Sequence, residues 1–457
     1  MASSAISYAR ENQQRFLNEL KDLLRIPSVS TAEEHKADVV RAANVVADDL
    51  KRIGFEHVEI ISTEGHPLVY ADWLHAAGAP TALCYAHYDV QPAEPLDEWI
   101  TPPFEPTERS NNVYARGAVD DKGQTLYEIE AARGLLHTDR RLPVNVKFLV
   151  EAEEEVGSPH FEDLLVREAE RFRCDVVVVS DTGMLGPDIP SICVGMRGLV
   201  TFDIRLQTGS IDLHSGTWGG TVPNAARLAS ELAAALHDGD DRVTIPGFYD
   251  RVRPATAAEL ESFSAQPFDE ETFKAQAGVG FLTGERGYSP LERIGIRPTA
   301  EVVGITGGYG GPGIKTIVPA TAELKIAFRL VPDQRPSEIA DAFGQWLAAR
   351  VPDGVDVTVI PEGAVAPALT PVDHPAQGAL SRAIERVWGI APLYTREGGS
   401  GPEEALGRVL AAPVLFLGIA LPDDRYHAPN ERMLMNQFWK GLLAAGELLV
   451  ELGRLYG

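Results

Sequence analysis

Val144-Asn-Val-Lys-Phe-Leu-Val150 runs directly into Glu151-Ala-Glu-Glu-Glu-Val-Gly-Ser158. The first half is apolar and rich in β-branched residues, and it reads as a buried strand. The second half sets Glu151, Glu153, Glu154 and Glu155 within five positions. Carboxylates crowded at the end of a buried strand repel one another unless a cation sits among them or some carry protons. An acidic, solvated loop would explain the stretch by itself. Other acids and histidines at the ends of other apolar runs make a site the stronger reading.

Working outward, His87 follows the run Ala82-Leu-Cys-Tyr-Ala86, and Asp89 lies two residues on. Residues i and i+2 share a face of a strand. Asp89 can then hold one imidazole nitrogen and leave the other for a metal. Asp120 and Asp121 stand at a helix start, where one of them could be a helix cap or a bridge between cations. Asp181 follows Val176-Val-Val-Val-Ser180, the position where α/β sheets place their ligands. His427 follows the strand predicted at 413–420 and a short loop. Each signal is weak singly. Together they form a nitrogen- and oxygen-donor set without cysteine, suited to zinc, manganese or cobalt in a hydrolytic site.

The surrounding chain supports an α/β fold. Helices are predicted at 11–26, 36–53, 121–136 and 161–172, and strands at 68–73, 81–85, 144–150 and 175–180. Such alternation implies a sheet covered on both faces. The rhythm changes near residue 190. Strands at 199–207, 300–306, 321–330 and 355–360, with helices at 224–237 and 336–350, predict a smaller α+β domain on a mixed sheet. An irregular stretch lies between 238 and 299. Helices at 375–387 and 436–455 and strands near 392–394 and at 413–420 then restore the first pattern. The smaller domain is therefore read as an insertion: 1–192 and 369–457 form one domain, 193–368 the other.

At 457 residues with 44% hydrophobic residues, the chain can build two or three cored domains. A formal charge of −25 excludes nucleic acid as a partner and disfavours anionic membranes. Three cysteines, Cys84, Cys174 and Cys193, make a disulfide framework improbable and point to a reducing, cytoplasmic setting. The first residues lack the pattern of a signal peptide, and no apolar stretch approaches the ~20 residues of a membrane span. Gly308-Tyr-Gly-Gly-Pro-Gly313 fits Gly-x-Gly-x-x-Gly, but a strand pattern follows it where a phosphate loop must open a helix. It is read as a turn.

Eight pieces occur in order: Ala86-His-Tyr-Asp-Val-Gln-Pro92, Gly117-Ala-Val-Asp-Asp-Lys-Gly123, Glu151-Ala-Glu-Glu-Glu-Val-Gly-Ser158, Ser180-Asp181, Asp212-Leu-His-Ser-Gly216, Arg329-Leu-Val-Pro332, Thr395-Arg-Glu-Gly-Gly-Ser400 and Tyr426-His-Ala-Pro-Asn430. In these the chain resembles the M20 metallopeptidase family, near its non-specific dipeptidase and carnosinase branch. The resemblance implies a zinc-peptidase-like catalytic domain, with a mixed central sheet flanked by helices, and an inserted α+β lid and dimerisation domain. It implies two divalent metals, zinc before manganese or cobalt. His87 and Asp181 would hold one, Glu155 and His427 the other, and Asp120 would bridge them across a cis Asp120–Asp121 peptide. Asp89 would orient His87, and Glu154 would be the general base. His214 would reach the substrate carbonyl from the partner of a homodimer. Arg329, Ser400 and Thr316 would hold the substrate carboxylate. The implied substrate is a small dipeptide; an N-acyl amino acid deacylase is the alternative.

Overall fold

The computed structural model describes residues 8–456. Helix α1 (Gln13–Leu24) buries Phe16, Leu20, Leu23 and Leu24 on one face and ends before Pro27. Helix α2 (Lys36–Ile53) is closed by Gly54 in the left-handed conformation, φ 102°. Strands β1 (Glu56–Ile61), β2 (Leu68–Trp73) and β3 (Thr81–His87) follow. After helix α3 (Lys122–Asp139) come β4 (Asn145–Glu151), helix α4 (Phe161–Arg167) and β5 (Val176–Val179). The helix predicted at 161–172 is broken, because Glu168 leaves helical geometry before the short turn Ala169–Phe172.

The main sheet has the order β1-β2-β4-β3-β5-β12, where β12 is Val414–Phe416. β4, β3, β5 and β12 are mutually parallel, and β2 and β1 join as antiparallel neighbours. The alternation along β4 explains why its sequence is apolar on both faces. Val146, Phe148 and Val150 pack into the core containing α3 and the last helix, α10 (Met435–Tyr456). Leu149 packs into a second core, with Phe161 and Leu164 of α4 and Leu406 of α9 (Glu403–Leu410). Being parallel, the central strands bring their carboxyl ends to one edge of the sheet, the edge where α/β folds place ligands.

Strand β6 (Ser191–Met196) carries the chain away from this sheet and pairs in parallel with β11 (Leu393–Glu397) on its return. Between them lies a second sheet of β7 (Gly198–Gln207), β8 (Thr299–Gly307), β9 (Thr321–Leu330) and β10 (Asp356–Val365), in the order β8-β9-β7-β10. Val200, Phe202, Ile204 and Leu206 alternate into its own core beneath α5 (Ala225–Ala235) and α7 (Pro336–Ala348). The sheet is wholly antiparallel, not mixed as expected. The reason is one-sided burial: Arg205, Glu323 and Lys325 alternate onto the uncovered face, which an antiparallel sheet tolerates.

The stretch read as irregular contains three short helices: α6 (Ala257–Ala265), Glu270–Ala277 and Pro290–Gly295. Their start signals are in the sequence. Thr256 with Glu259 and Ser289 with Glu292 form capping boxes, and Asp269 caps the middle helix. Helix α6 ties this region to the return strand. The Ser262 hydroxyl donates to the Tyr394 carbonyl at 3.0 Å, and Arg396 pairs with the buried Glu259. Helix α8 (Pro375–Trp388) then packs on α10. Strand β1 and helix α9 were not expected from the sequence.

Candidate active site

Every histidine and carboxylate predicted to ligate a metal lies at the carboxyl edge of the main sheet. His87 is the last residue of β3, Glu154 and Glu155 follow β4, and Asp181 follows β5. Asp120 precedes α3, and His427 sits in the loop after β12 with φ 61°. Two triads result. His87, Asp120 and Asp181 bring their ligand atoms within 4.8 Å of one another, as do Asp120, Glu155 and His427. Asp120 belongs to both. Its Oδ1 lies 3.2 Å from His87 Nε2, and its Oδ2 lies 2.9 Å from His427 Nε2. His87 Nε2 is also 3.5 Å from Asp181 Oδ2, and His427 Nε2 is 3.1 Å from Glu155 Oε2. The Asp120–Asp121 peptide is cis.

The donor set fits two divalent cations. His87 Nε2 is buried and has no hydrogen-bond partner, the state of a nitrogen suited to a metal. His87 Nδ1 faces Asp89, 3.3 Å from its Oδ1 and 3.2 Å from its carbonyl. That contact fixes which nitrogen points into the triad. Burial opposes charge on His87, but Asp181, Asp120 and Asp89 raise its proton affinity well above that of an ordinary imidazole. Hydrogen bonds to Asp120 and Glu155 push His427 up to about 10. Both imidazoles thus sit where positive charge is wanted. Burial works against ionising Asp120, yet His427 and His87 hold it well below the usual carboxylate range. Burial, reinforced by Asp181, Glu155 and Asp120, holds Glu154 well above that range.

The four glutamates at the end of β4 divide into two pairs. Glu151 is buried, accepts from Tyr85 at 2.5 Å and Ser158 at 2.9 Å, and is pushed by burial up to about 7. Glu153 is tied to the His66 amide at 3.1 Å and to His160 at 2.9 Å. These two anchor the turn that presents Glu154 and Glu155 to the site. Glu154 lines a cavity of about 440 Å³ together with Asp120, Asp181, His427, Glu397 and Ser400. A neighbouring cavity of about 480 Å³, lined by Phe161, Val365 and Arg408, shares Glu154 and Ser400 as its wall.

Of the residues expected to touch substrate, Arg329 and Ser400 come together: Arg329 Nη1 donates to Ser400 Oγ at 3.1 Å. His214 and Thr316 do not join them. Both are exposed, and they neighbour each other where Leu213–His214 pairs with Ile317–Val318. His214 Nδ1 accepts from the Gly216 amide at 3.1 Å, and among the described residues no metal-ligand candidate touches it.

Glu431 and Gln91 were not singled out from sequence, and Asp121 was read there only as a possible cap or bridge. Glu431 is buried and accepts from Arg116 at 2.8 Å, from the Gly117 amide at 2.9 Å, from the Val119 amide at 3.0 Å and from the Asp120 amide at 3.2 Å. It holds the loop that aims Asp120. Asp121 occupies the cap position of α3, but its carboxylate accepts the His87 amide at 3.1 Å instead of capping the helix. Gln91 Nε2 donates to Glu155 Oε2 at 2.8 Å. Gln91 and Glu397 lie inside the matched motifs, and Glu431 directly follows one, so their position was a usable signal.

A family model, "Peptidase family M20/M25/M40", matches residues 83–451. A "Cys-Gly metallodipeptidase DUG1" of Candida albicans is 29% identical, covering 97% of this chain and 96% of that protein. A "Beta-Ala-His dipeptidase" of Homo sapiens is 28% identical, covering 100% and 94%. Among solved structures, an M20 family metallo-carboxypeptidase from Sulfolobus solfataricus superposes with a TM-score of 0.84 at 31% identity, covering 96% of this chain and 99% of that one.

Proposed function

The chain belongs to the M20/M25/M40 peptidase family, and we propose that within it the chain is a two-metal dipeptidase. The observation that carries this reading is Asp120, whose two oxygens face opposite histidines at the wall of a cavity that also holds Glu154. His87 and Asp181 would hold one cation, Glu155 and His427 the other, and Asp120 both. When bound, the cations would supply Lewis-acid polarisation of the substrate carbonyl and make the attacking water more acidic. The chain's own residues do the rest. Glu154 takes the proton of the attacking water and returns it to the leaving amine. Arg329 and Ser400 fix the substrate's carboxylate end. Cleaving the peptide bond yields two free amino acids.

Dipeptidase is preferred to deacylase on two grounds. The curated relatives are named as dipeptidases. The cavity wall also carries Glu397, a carboxyl outside the metal-ligand set that can accept a hydrogen bond from a free amino group, which an N-acyl substrate lacks. The nitrogen and oxygen donors support zinc, with manganese or cobalt as alternatives.

The proposed assembly is a homodimer through the second sheet. Strand β8 is an open edge that exposes Val302, Val303 and Ile305, whereas the opposite edge strand β10 carries Pro361. An apolar open edge recruits a partner strand, and a proline-bearing edge resists one. No helix among the described residues is long and apolar enough to cross a membrane. Three free cysteines support a reducing, cytoplasmic setting.

The test is a panel of dipeptides and N-acetyl amino acids, offered to protein stripped of metal and reloaded with zinc or manganese. Dipeptides should be cleaved only by reloaded protein. Cleavage confined to N-acetyl amino acids would overturn the dipeptidase reading, and full activity after exhaustive chelation would overturn the metal mechanism.

A further inference from the structure

Arg197 is the single residue between β6 and β7, where the chain passes from the first sheet system to the second. Arg329 lies at the end of β9, opposite Leu199 in the register. Ser400 lies beyond β11 and connects the two. Its hydroxyl accepts from Arg329 at 3.1 Å and donates to the Arg197 carbonyl at 2.6 Å. The Arg197 amide also donates to the Glu397 carbonyl at 3.2 Å.

Both guanidinium groups are half-buried, and among the described residues neither makes an ion pair. Arg197 spends one of its five side-chain donors on a long bond, 3.4 Å, to the Gly398 carbonyl. Arg197 reaches the Gly398 carbonyl and Arg329 reaches Ser400, two residues apart on one loop, so the two like charges repel in partial burial. Burial and the nearby Arg329 together lower Arg197 to about 10, offset only in part by Glu301, which lies beyond ion-pair reach. Such a pair, with donors to spare and no acid beside it, is arranged for an anion that arrives from outside. The backbone makes room for it. A side chain at Gly398 would put Cβ 2.7 Å from Arg197 Nη2, so glycine lets the guanidinium lie flat on the loop that carries Ser400.

We infer that Arg197 is a second guanidinium of the substrate-carboxylate subsite, gripping the C-terminal carboxylate of a dipeptide together with Arg329 and Ser400. The inference rests on the proposed dipeptidase function and deepens it. A carboxylate held by residues before β7, at the end of β9 and after β11 is held by both sheet systems at once. The subsite therefore selects substrates that end in a free carboxylate at a fixed distance from Asp120 and Glu154, and disfavours amides and longer peptides.

The test compares Gly-Leu with Gly-Leu amide on wild type, Arg197→Gln, Arg197→Lys and Gly398→Ala, all metal-loaded. Arg197→Gln should lower kcat/KM for Gly-Leu about 10- to 100-fold, the range for losing a charged hydrogen bond, mostly through KM. The amide should change less than about 3-fold, so the preference for the free acid collapses. Arg197→Lys should keep part of that preference. Gly398→Ala, which displaces the guanidinium and leaves the charge, should lose it. Equal losses on acid and amide would give Arg197 a structural role and overturn the inference while leaving the dipeptidase reading intact. A wild type that cleaves no dipeptide would overturn that reading instead. Calorimetric titration with N-acetyl-leucine and its amide then decides Arg197 without turnover. Binding of the acid that Arg197→Gln abolishes supports the subsite, and binding that the variant leaves unchanged, or no binding by wild type, overturns it.

Discussion

Glu154 and Glu155 are neighbours in sequence that the local turn points to different tasks. Glu155 reaches His427 at 3.1 Å and is braced by Gln91, whereas Glu154 lines the cavity beside Asp120 and Asp181. Glu154→Gln should therefore keep its metals while kcat falls at least ~100-fold, the scale of a lost general base. Glu155→Gln should lose metal to a lower chelator concentration than wild type. Elemental analysis beside steady-state rates checks both, and the opposite pattern would exchange their roles. Glu431 yields a sharper prediction, because it acts without touching a metal. Glu431→Ala leaves Arg116 buried and unpaired, a change worth about 3–5 kcal/mol. The melting temperature should fall, and metal affinity should drop about 10- to 100-fold as the Asp120 loop loosens. Unchanged metal affinity would show that the loop needs no such brace. Without the family resemblance, Asp120 was legible in the sequence only as one of two adjacent acids. Periodicity cannot separate neighbours in a turn that is neither helix nor strand. The distinction rests on a contact 34 residues away, the Asp121 carboxylate on the His87 amide.

At the scale of elements, the central strands were legible because both faces are buried, so their residues are mostly apolar, Lys147 of β4 being the interior exception. Strand β1 was not, since only Ile61 of its six residues is buried and it reads as surface. The short helices between 257 and 295 were missed for a different reason. Each is under ten residues, too short for a helical period to show, and their caps, two of them capping boxes, were the better signal. Helix α3 is buried on nearly every side from Lys122 to Leu135, which forces polar residues inside. Glu128 is one of them, packed with Cys84, Phe148, Val178, Leu448 and Leu449 around a small cavity. Burial pushes its carboxyl up to about 8, with Ser180 offsetting part of that rise. Its pKa in the unfolded chain lies near 4.5. Between those values the native state holds a proton that the unfolded state has released. Glu128 therefore favours the fold below about pH 4.5 and loses that contribution as pH rises through about 8. A tenfold difference in proton affinity between the folded and unfolded states is worth about 1.4 kcal/mol, so the loss is large enough to measure. Glu128→Gln, uncharged at every pH, should flatten the fall in thermal stability between about pH 5.5 and 8.5. A variant whose stability falls as steeply as wild type would show that Glu128 does not titrate there.

At the scale of the whole molecule, one predicted substrate contact, His214, stands apart from the cavity of its own chain. The metal-ligand candidates and Glu154 assemble at the carboxyl edge of the main sheet, with Ser400 on the same cavity wall and Arg329 bonded to it from the second sheet, whereas His214 is left exposed on the second sheet system. Nothing in the sequence around Asp212-Leu-His-Ser-Gly216 distinguishes a turn histidine from a substrate contact; only the family resemblance did. The proposed two-fold pairing of β8 edges would set equivalent surfaces face to face and bring a second His214 toward the cavity. His214 of one chain should then serve the cavity of its partner. Two inactive variants, His214→Ala and Glu154→Ala, test this when unfolded and refolded together so that mixed dimers form. In a mixed dimer, the His214→Ala chain keeps Glu154 and receives His214 from its partner, so that site is complete. The other site lacks both groups. Mixing should restore activity toward one working site per mixed dimer, while either variant refolded alone stays inactive. If His214 acted on its own chain's cavity, neither site of the mixed dimer would be complete. A preparation shown by mass to contain mixed dimers, yet without recovered turnover, would put His214 within its own chain's chemistry or outside the reaction altogether.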